Sequence, residues 1–351
     1  MKIVSVSECD SARWDSYVTS HPDASPYHRW AYKQTLEKAY GLKTSYKMAI
    51  DEDASVAGVF PAAEIPGFRR RVGYCSLPYC DRGEPLANSS FATDKLIAAM
   101  LNNSQKDIEI RATHPENNSE ADRVLGEAKV PKKVRLILDL PEQAEELFAG
   151  FKSKLRSQIN KARKNQLSAN IGNSQDYVDA FYKVFTQNMR SLGSPTHSRE
   201  WFLSLAHHFS TDCLIGIVTL DGKPVAGGVM LKNGLRATIP WAATLRDYNK
   251  LSPNMLLYWS LLEASCDAGC SSFDFGRSTP NEGTYRFKTQ WGARPIPLNW
   301  KVLSTSGTVE YLNDRPGNLS KYRPLLESLW SHLPLPVTVS LGSKIRPWIS
   351  L

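Results

Sequence analysis

The chain has 351 residues, 42% of them hydrophobic and 22% charged, with a formal net charge of +8. That length supports two domains with cores of their own, and the six scattered cysteines read as reduced thiols rather than a disulfide framework. No apolar run is long enough to span a bilayer and no signal-peptide pattern opens the chain, which places the protein in the cytoplasm or at the inner face of the membrane.

Val4 and Val6 open the chain as a strand, and Ser25-Pro26 leads into a helix over about Tyr27 to Tyr40 that Gly41 stops. On that helix Tyr27, His28 and Trp30 read either as core packing or as the lining of a substrate groove. Ser45 to Ile50 and Val56 to Glu64 form two strands around an acidic turn. Arg69-Arg70-Arg71 is a basic patch that faces solvent or an anion. Ser76-Leu77-Pro78-Tyr79-Cys80-Asp81-Arg82-Gly83 is a loop, Phe91 to Leu101 a helix, and Asp107 to Ala112 a strand.

After a strand over Val134 to Leu140, Pro141 starts a helical stretch. Phe151, Leu155, Ile159 and Ala162 then recur every three or four residues as one apolar stripe. Around that stripe Lys152, Lys154, Arg156, Lys161, Arg163 and Lys164 meet no acid between Leu147 and Gln175. Such a face is either solvated or neutralised by an anionic partner: Arg156 and Arg163 can grip phosphate in bidentate fashion, Lys154 and Lys161 as point charges.

Cys213 to Leu220 and Val225 to Lys232 form a hairpin on Asp221-Gly222, Leu235 to Ala242 a strand, Ser252 to Ala268 a helix, and Phe273 to Phe275 a strand. Val225-Ala226-Gly227-Gly228-Val229 repeats Val56-Ala57-Gly58-Val59, and Phe273 to Thr279 repeats Ile108 to Thr113, at an offset of roughly 165 to 169 residues. The two halves therefore read as copies of one α/β unit. Cys266 and Cys270 lie one turn apart with no histidine near them, which favours a buried pair over a metal site. His197 reads as a surface histidine or a base, and the adjacent His207 and His208 point in different directions.

Chemistry concentrates between Ser272 and Trp300, where Asp274, Arg277, Tyr285, Arg286 and Lys288 lie on a strand end and the loop beyond it. The runs Asp274-Phe275-Gly276-Arg277-Ser278, Gly283-Thr284-Tyr285-Arg286-Phe287-Lys288 and Trp291-Gly292 resemble the signature of the FemAB branch of the GNAT acyltransferase superfamily. Pro26 to Trp30, Ser76 to Asp81 and Phe151 to Arg163 extend the resemblance. It is nearest to the FemAB-like proteins associated with exosortase and PEP-CTERM exopolysaccharide systems.

The resemblance implies tandem duplicated GNAT-like domains with mixed central sheets, divided as 1–138, 139–302 and a C-terminal extension, 303–351. It implies an acyl- or aminoacyltransferase acting on a peptidoglycan or exopolysaccharide precursor, with acyl-CoA or aminoacyl-tRNA as co-substrate and no tightly bound cofactor or metal. Lys288 would stabilise the developing oxyanion, with Phe287 stacking on the donor's terminal base and Asp274 orienting Arg277 or accepting a proton. The alternative for Asp274 and Arg277 is a structural ion pair. Tyr285, Arg286 and Trp30 join the binding set. Between Thr244 and Asn254, where acyl-CoA enzymes hold pyrophosphate on a glycine-rich loop, glycines are missing; Arg246 remains as a phosphate contact, Ser252 as N-cap and Pro253 as the first helical residue.

Expected partners are a nucleotide- or lipid-linked saccharide or peptide precursor and charged tRNA, with no DNA. A non-catalytic protein that binds a saccharide precursor or RNA in the same cleft is the alternative. The tail carries a short helix from Arg323 with Leu325, Leu326, Leu329 and Trp330 on one side, then a basic end from Lys344 to Trp348. Packing on the second domain or a peripheral membrane contact accounts for it.

Overall fold

The computed structural model describes residues 1–66, 72–104, 106–113, 133–312 and 323–350. The Arg69 to Arg71 patch lies outside them, as does the whole of the 114–132 segment that leads to the expected join of the halves.

The first half runs β1 (Lys2–Ser5), helices 11–20 and 30–40, β2 (Lys47–Ile50), β3 (Val56–Phe60), β4 (Ala63–Glu64), β5 (Val72–Cys75), β6 (Leu86–Ala87), helix 90–104 and β7 (Asp107–Thr113). After β8 (Val134–Asp139) come helices 144–150 and 153–164, then β9 (Ser168–Gly172), helices 175–191 and 199–209, β10 (Cys213–Leu220), β11 (Lys223–Asn233), β12 (Arg236–Thr244), helix 253–267 and β13 (Ser272–Ser278). Helix 283–289, β14 (Arg294–Leu303), β15 (Val309–Tyr311) and helices 323–332 and 335–345 complete the chain.

The repeated order read from the sequence is present in space. In each half a strand and two helices precede an antiparallel hairpin, β2-β3 or β10-β11, and a helical crossover then joins two parallel strands, β5 to β7 or β12 to β13. Asp221 and Gly222 close the second hairpin with φ of 49° and 75°, the left-handed pair that a two-residue turn requires.

One sheet joins the halves in the order β4-β5-β7-β14-β8-β13-β12-β11-β10-β9. β14 is the bridge, pairing antiparallel with β7 along Leu298 to Leu303 and with β8 along Arg294 to Pro297. A second sheet, β1-β2-β3-β6, branches off where Pro61 separates β3 from β4; proline offers the ladder no N–H, so the single strand expected from Val56 to Glu64 bends between two sheets.

The aromatic core is shared in the same way. Tyr32 packs edge-on against Trp201, and one buried cluster takes in Trp14 and Leu36 from the first half with Phe181 and Leu205 from the second. The alternating apolar stripe of the basic helix is buried as its spacing predicts: Phe151, Leu155, Ile159 and Ala162 all face a second cluster beneath helix 253–267. Cys266 and Cys270 are both buried there.

Candidate functional site

β12 and β13 run in parallel only from Arg236↔Ser272 to Thr238↔Asp274. Beyond that pair both strands continue, β12 to Thr244 and β13 to Ser278, but no longer hydrogen-bonded to each other. The gap opens at the C-terminal ends of parallel strands, where α/β sheets place ligands.

Gly276 makes the gap possible. On β8 two steps separate Ile137 from Arg135, whereas on β13 three steps separate their partners Asp274 and Arg277, so β13 carries one extra residue. Gly276 sits at that bulge with φ +72°, in the left-handed region that glycine enters without a Cβ clash.

The gap holds a cavity of about 260 Å³ lined by Tyr27, Tyr79, Cys80, Asp81, Ile239, Pro240, Trp241, Phe275, Gly276, Arg277, Lys288 and Arg346. Lys288 reaches it from helix 283–289, which begins after Glu282 in residues expected as loop. Phe287 packs on Tyr258 and Trp291 at 5.0 and 6.1 Å between ring centroids, anchoring the helix to the core and turning Lys288 towards the end of β13. Nζ of Lys288 donates to the carbonyls of Gly276 at 3.0 Å and Arg277 at 2.9 Å. Those bonds use two of its three hydrogens. Burial pushes the ammonium down to about 8, against the opposing pull of Asp81 and Asp274.

Arg277 is not oriented by Asp274. Its Nε lies 3.5 Å from Oδ1 of Asp81, and its backbone N–H donates to Oδ2 of the same residue at 3.0 Å. Asp274 instead accepts the N–H of Gly276 at 2.8 Å and stands 3.9 Å from Arg135, so it braces the bulge and does not line the cavity. Asp81 comes from the loop after β5 and is the carboxylate the sequence reading passed over; the motif Ser76 to Asp81 contained it without assigning it a task.

The remaining expected residues lie apart from the cavity. Trp30 is 3% exposed in the core of the first half, with its indole N–H on Glu8 and its ring against Trp14, so it takes no part in the cavity. His28 is likewise buried, but Tyr27 beside it does line the cavity. Tyr285 is half-buried against the core cluster beneath helix 253–267 and Arg286 is exposed, and neither lines the cavity. Lys154 and Lys161 are exposed, whereas Arg156 and Arg163 line a separate cavity of about 510 Å³ with Trp259, Glu145 and Glu263. The basic helix is therefore not a wall of the Lys288 cavity.

Arg246 is exposed on the short 3-10 turn Arg246–Leu251. Ser252 precedes helix 253–267 with φ +66° and makes no side-chain cap, contrary to its expected role, while Pro253 does occupy the first helical turn. His197 is not on the surface: it is 2% exposed, stacked on Trp201, and its Nε2 accepts from Nε of Arg346 at 3.0 Å. A ring nitrogen so engaged is not available as a base.

A strand pair that parts beside a bulge, with a crossover helix between the two strands, is the geometry against which comparison with known proteins is informative. Residues 149–289 match the family described as Acetyltransferase (GNAT) domain. FemX superposes with a TM-score of 0.65 at 12% identity over 93% of this chain and 100% of its own. A tandem GNAT protein from the clavulanic acid biosynthesis pathway superposes at 0.50 with 11% identity, over 87% of this chain and 98% of its own. The fold is a tandem GNAT fold. In sequence, the chain is 22% identical over 167 residues to the UDP-N-acetylmuramoylpentapeptide-lysine N(6)-alanyltransferase of Weissella viridescens, a match that takes in 46% of this chain and 49% of that relative. The chain thus spans about half the length of that curated relative. The matched GNAT segment runs from just before the basic helix to Thr289, so it includes β12, β13 and Lys288.

Proposed function

We propose that the protein is an aminoacyltransferase acting on a cell-envelope precursor, peptidoglycan or exopolysaccharide, with its reacting carbonyl in the gap between β12 and β13. The observation that carries the reading is Lys288: a desolvated ammonium at the open strand end, fixed by two backbone carbonyls, with a third N–H left for a ligand. In such a site a hydrogen-bond donor acts on charge that develops only in the transition state, where it lowers the barrier most.

The chemistry balances without a metal or redox partner. An acceptor amine attacks the ester carbonyl of an aminoacyl-tRNA, the C–N bond forms as the C–O bond to the tRNA 3′-oxygen breaks, and a proton passes from the amine to that oxygen. Lys288 donates to the carbonyl oxygen as it becomes negative; Arg277, held by Asp81, fixes the approach of the substrate.

Aminoacyl-tRNA is favoured over acyl-CoA by the start of helix 253–267. Pro253 has no N–H, and the N–H of Met255 is taken by the carbonyl of Ser252 at 3.1 Å, which leaves few donors for a pyrophosphate. The name of the Weissella viridescens relative, an alanyltransferase acting on the lysine of a muramoyl pentapeptide, agrees with that preference. We take the exposed Leu325, Leu326, Leu329 and Trp348 as the contact with the bilayer that would carry a lipid-linked acceptor. Cosedimentation with phosphatidylglycerol vesicles tests that contact, and failure to sediment removes it.

Thermal shift with alanyl-tRNA, deacylated tRNA and acetyl-CoA tests the main reading, since a ligand at a hundred times its dissociation constant stabilises by about 3 kcal/mol. A larger shift with charged than with uncharged tRNA is expected. A shift with acetyl-CoA alone overturns the choice of donor, and no shift with any of them overturns the transferase reading.

A further inference from the structure

The Lys288 site leaves the basic helix without a task, and with it the separate cavity of about 510 Å³ on that helix's flank. The stripe Phe151, Leu155, Ile159 and Ala162 is buried, and Arg156, Asn160 and Arg163 follow one another at spacings of four and three residues, so they line the cavity as a single row. Arg156 and Arg163 stand two turns, about 10 Å, apart along the axis.

Arg156 is anchored. Its Nη1 donates to the carbonyl of Ala149 at 2.9 Å, one of the carbonyls that the end of helix 144–150 leaves open. Its other N–H groups, the guanidinium of Arg163 and the side-chain amide of Asn160 make no hydrogen bond among the described residues.

The facing walls come from two other helices. Helix 253–267 supplies Trp259 and, one turn on, Glu263; helix 144–150 supplies Glu145 and, one turn on, Phe148. Phe148 packs edge-on against the buried Trp259 with 4.9 Å between ring centroids and is itself half-buried, so its ring holds a fixed orientation at the cavity wall.

Two cations and two carboxylates thus share one space, yet among the described residues no hydrogen bond or ion pair joins either arginine to either glutamate. Burial raises the pKa of the Glu263 carboxyl, with Arg163 near enough to oppose that rise but not to pair with it. Walls that carry both signs in balance gain little from a simple anion. They suit a ligand that is negative at one end and donates hydrogen bonds at the other, with a flat face between.

A nucleotide has that make-up: phosphate oxygens for the guanidinium forks, a planar base for the Phe148 ring, and on some bases an amino group for a carboxylate that only accepts. Cytosine and adenine carry such an amino group, whereas uracil has a carbonyl oxygen in its place, which a carboxylate repels. The cavity also shares its floor with the transfer site. Tyr258, next to Trp259, packs on Phe287 at 5.0 Å, and Phe151 touches both Trp259 and Trp291, at 6.0 and 5.5 Å between centroids. Neighbouring residues of one helix therefore support both sites.

We propose that this cavity is a second binding site, for a single cytidine or adenosine nucleotide, with Arg156 and Arg163 on its phosphate, Phe148 against its base, and Glu145 and Glu263 accepting from the base amino group. The site stands on its own geometry and goes beyond the transferase reading. Where that reading holds, the nucleotide belongs to the RNA that brings the aminoacyl group, and a uridine nucleotide carried by the acceptor is the source the carboxylates disfavour.

Isothermal titration of wild type, Arg163→Ala and Glu263→Gln with CMP, AMP, UMP and inorganic phosphate at constant ionic strength tests it. Arg163 is exposed and Glu263 half-buried, and near-ultraviolet circular dichroism establishes that each variant is folded. CMP or AMP should bind wild type at least about fivefold more tightly than UMP or phosphate does. Arg163→Ala should weaken that binding by about tenfold. Glu263→Gln, whose amide also donates, should bring UMP to within about twofold of the preferred nucleotide. No saturable binding of CMP or AMP, UMP or phosphate bound as tightly as either, or nucleotide binding unchanged in Arg163→Ala overturns the proposal. None of these measurements needs transfer, so nucleotide binding without alanyl transfer removes the transferase reading and keeps the site, and transfer without nucleotide binding does the reverse.

Discussion

The two parallel strand pairs of the molecule, β5 with β7 and β12 with β13, hold the same place in the repeated order of elements and do opposite things. In the first, the loop after β5 folds back on β7: Ser76 donates its N–H to the carbonyl of Glu109, its hydroxyl accepts the N–H of Arg111, and Gly83 donates to the carbonyl of Arg111. The strands stay closed, and Arg111 is 0% exposed, paired with Glu109 at 2.8 Å and bonded to the carbonyl of Cys80. In the second pair an extra residue, Gly276, bulges β13, the strands part, and Arg277 at the repeat position of Arg111 faces a cavity instead. Both arginines lie over Trp300, at 4.7 and 5.1 Å from its ring centre, on the strand that joins the halves. One pair is a buttress and the other opens a cavity, and the bulge at Gly276 marks the difference.

The largest effect expected from this contrast is on stability. Arg111→Ala leaves a partly buried Glu109 without its cation and should cost about 3 to 5 kcal/mol, whereas Arg277→Ala, whose ion pair reaches solvent, should cost about 1 kcal/mol. Denaturant titration of both variants measures this, and equal losses would break the comparison. Next, Gly276→Ala should cost about 1 to 2 kcal/mol from its left-handed backbone alone, because a Cβ there would meet Asp81 and Ile239 only at ordinary distances of 3.6 and 3.7 Å. A much larger loss would mean that the cavity is filled more tightly than its lining indicates.

A further effect is the dependence on pH. The Lys288 ammonium has a folded pKa of about 8 against 10.5 unperturbed, so the folded state holds fewer protons than the unfolded one between those values, and stability should rise with pH across that window. Turnover should move the other way, falling as pH climbs through about 8 and the donor loses its charge. A rate that stays flat to pH 10 would contradict the donor role.

Much of this was legible in the sequence because it rests on local pattern. The two hairpins, the crossover helices, the stripe of the basic helix and the repeat itself follow from periodicity and turn residues that lie within a few positions of one another. Lys288 lies in a dense polar stretch after a short strand, and the resemblance to the FemAB family singled it out there. What escaped was fixed by distant pairing. Arg277 finds its carboxylate 196 residues earlier in Asp81, and His197 finds Arg346 149 residues later, so no window on the chain contains either pair. The assignment of Asp274 to Arg277 failed because sequence proximity favoured it while the bulge directed its carboxylate to the N–H of Gly276. Tyr27 and Trp30 were expected on one helix, where residues three apart share a face, but Arg29 is extended between the turn Pro26–His28 and the helix Trp30–Tyr40, and only Tyr27 reaches the cavity.

The central claim is that chemistry occurs beside Lys288, and single-turnover transfer from alanyl-tRNA by Lys288→Met tests it most directly. Methionine keeps the length and packing of the side chain and removes the donor, so the account predicts a rate at least about a hundredfold below wild type with nearly unchanged affinity for the charged tRNA. A rate within a few-fold of wild type, or a loss confined to affinity, would contradict it.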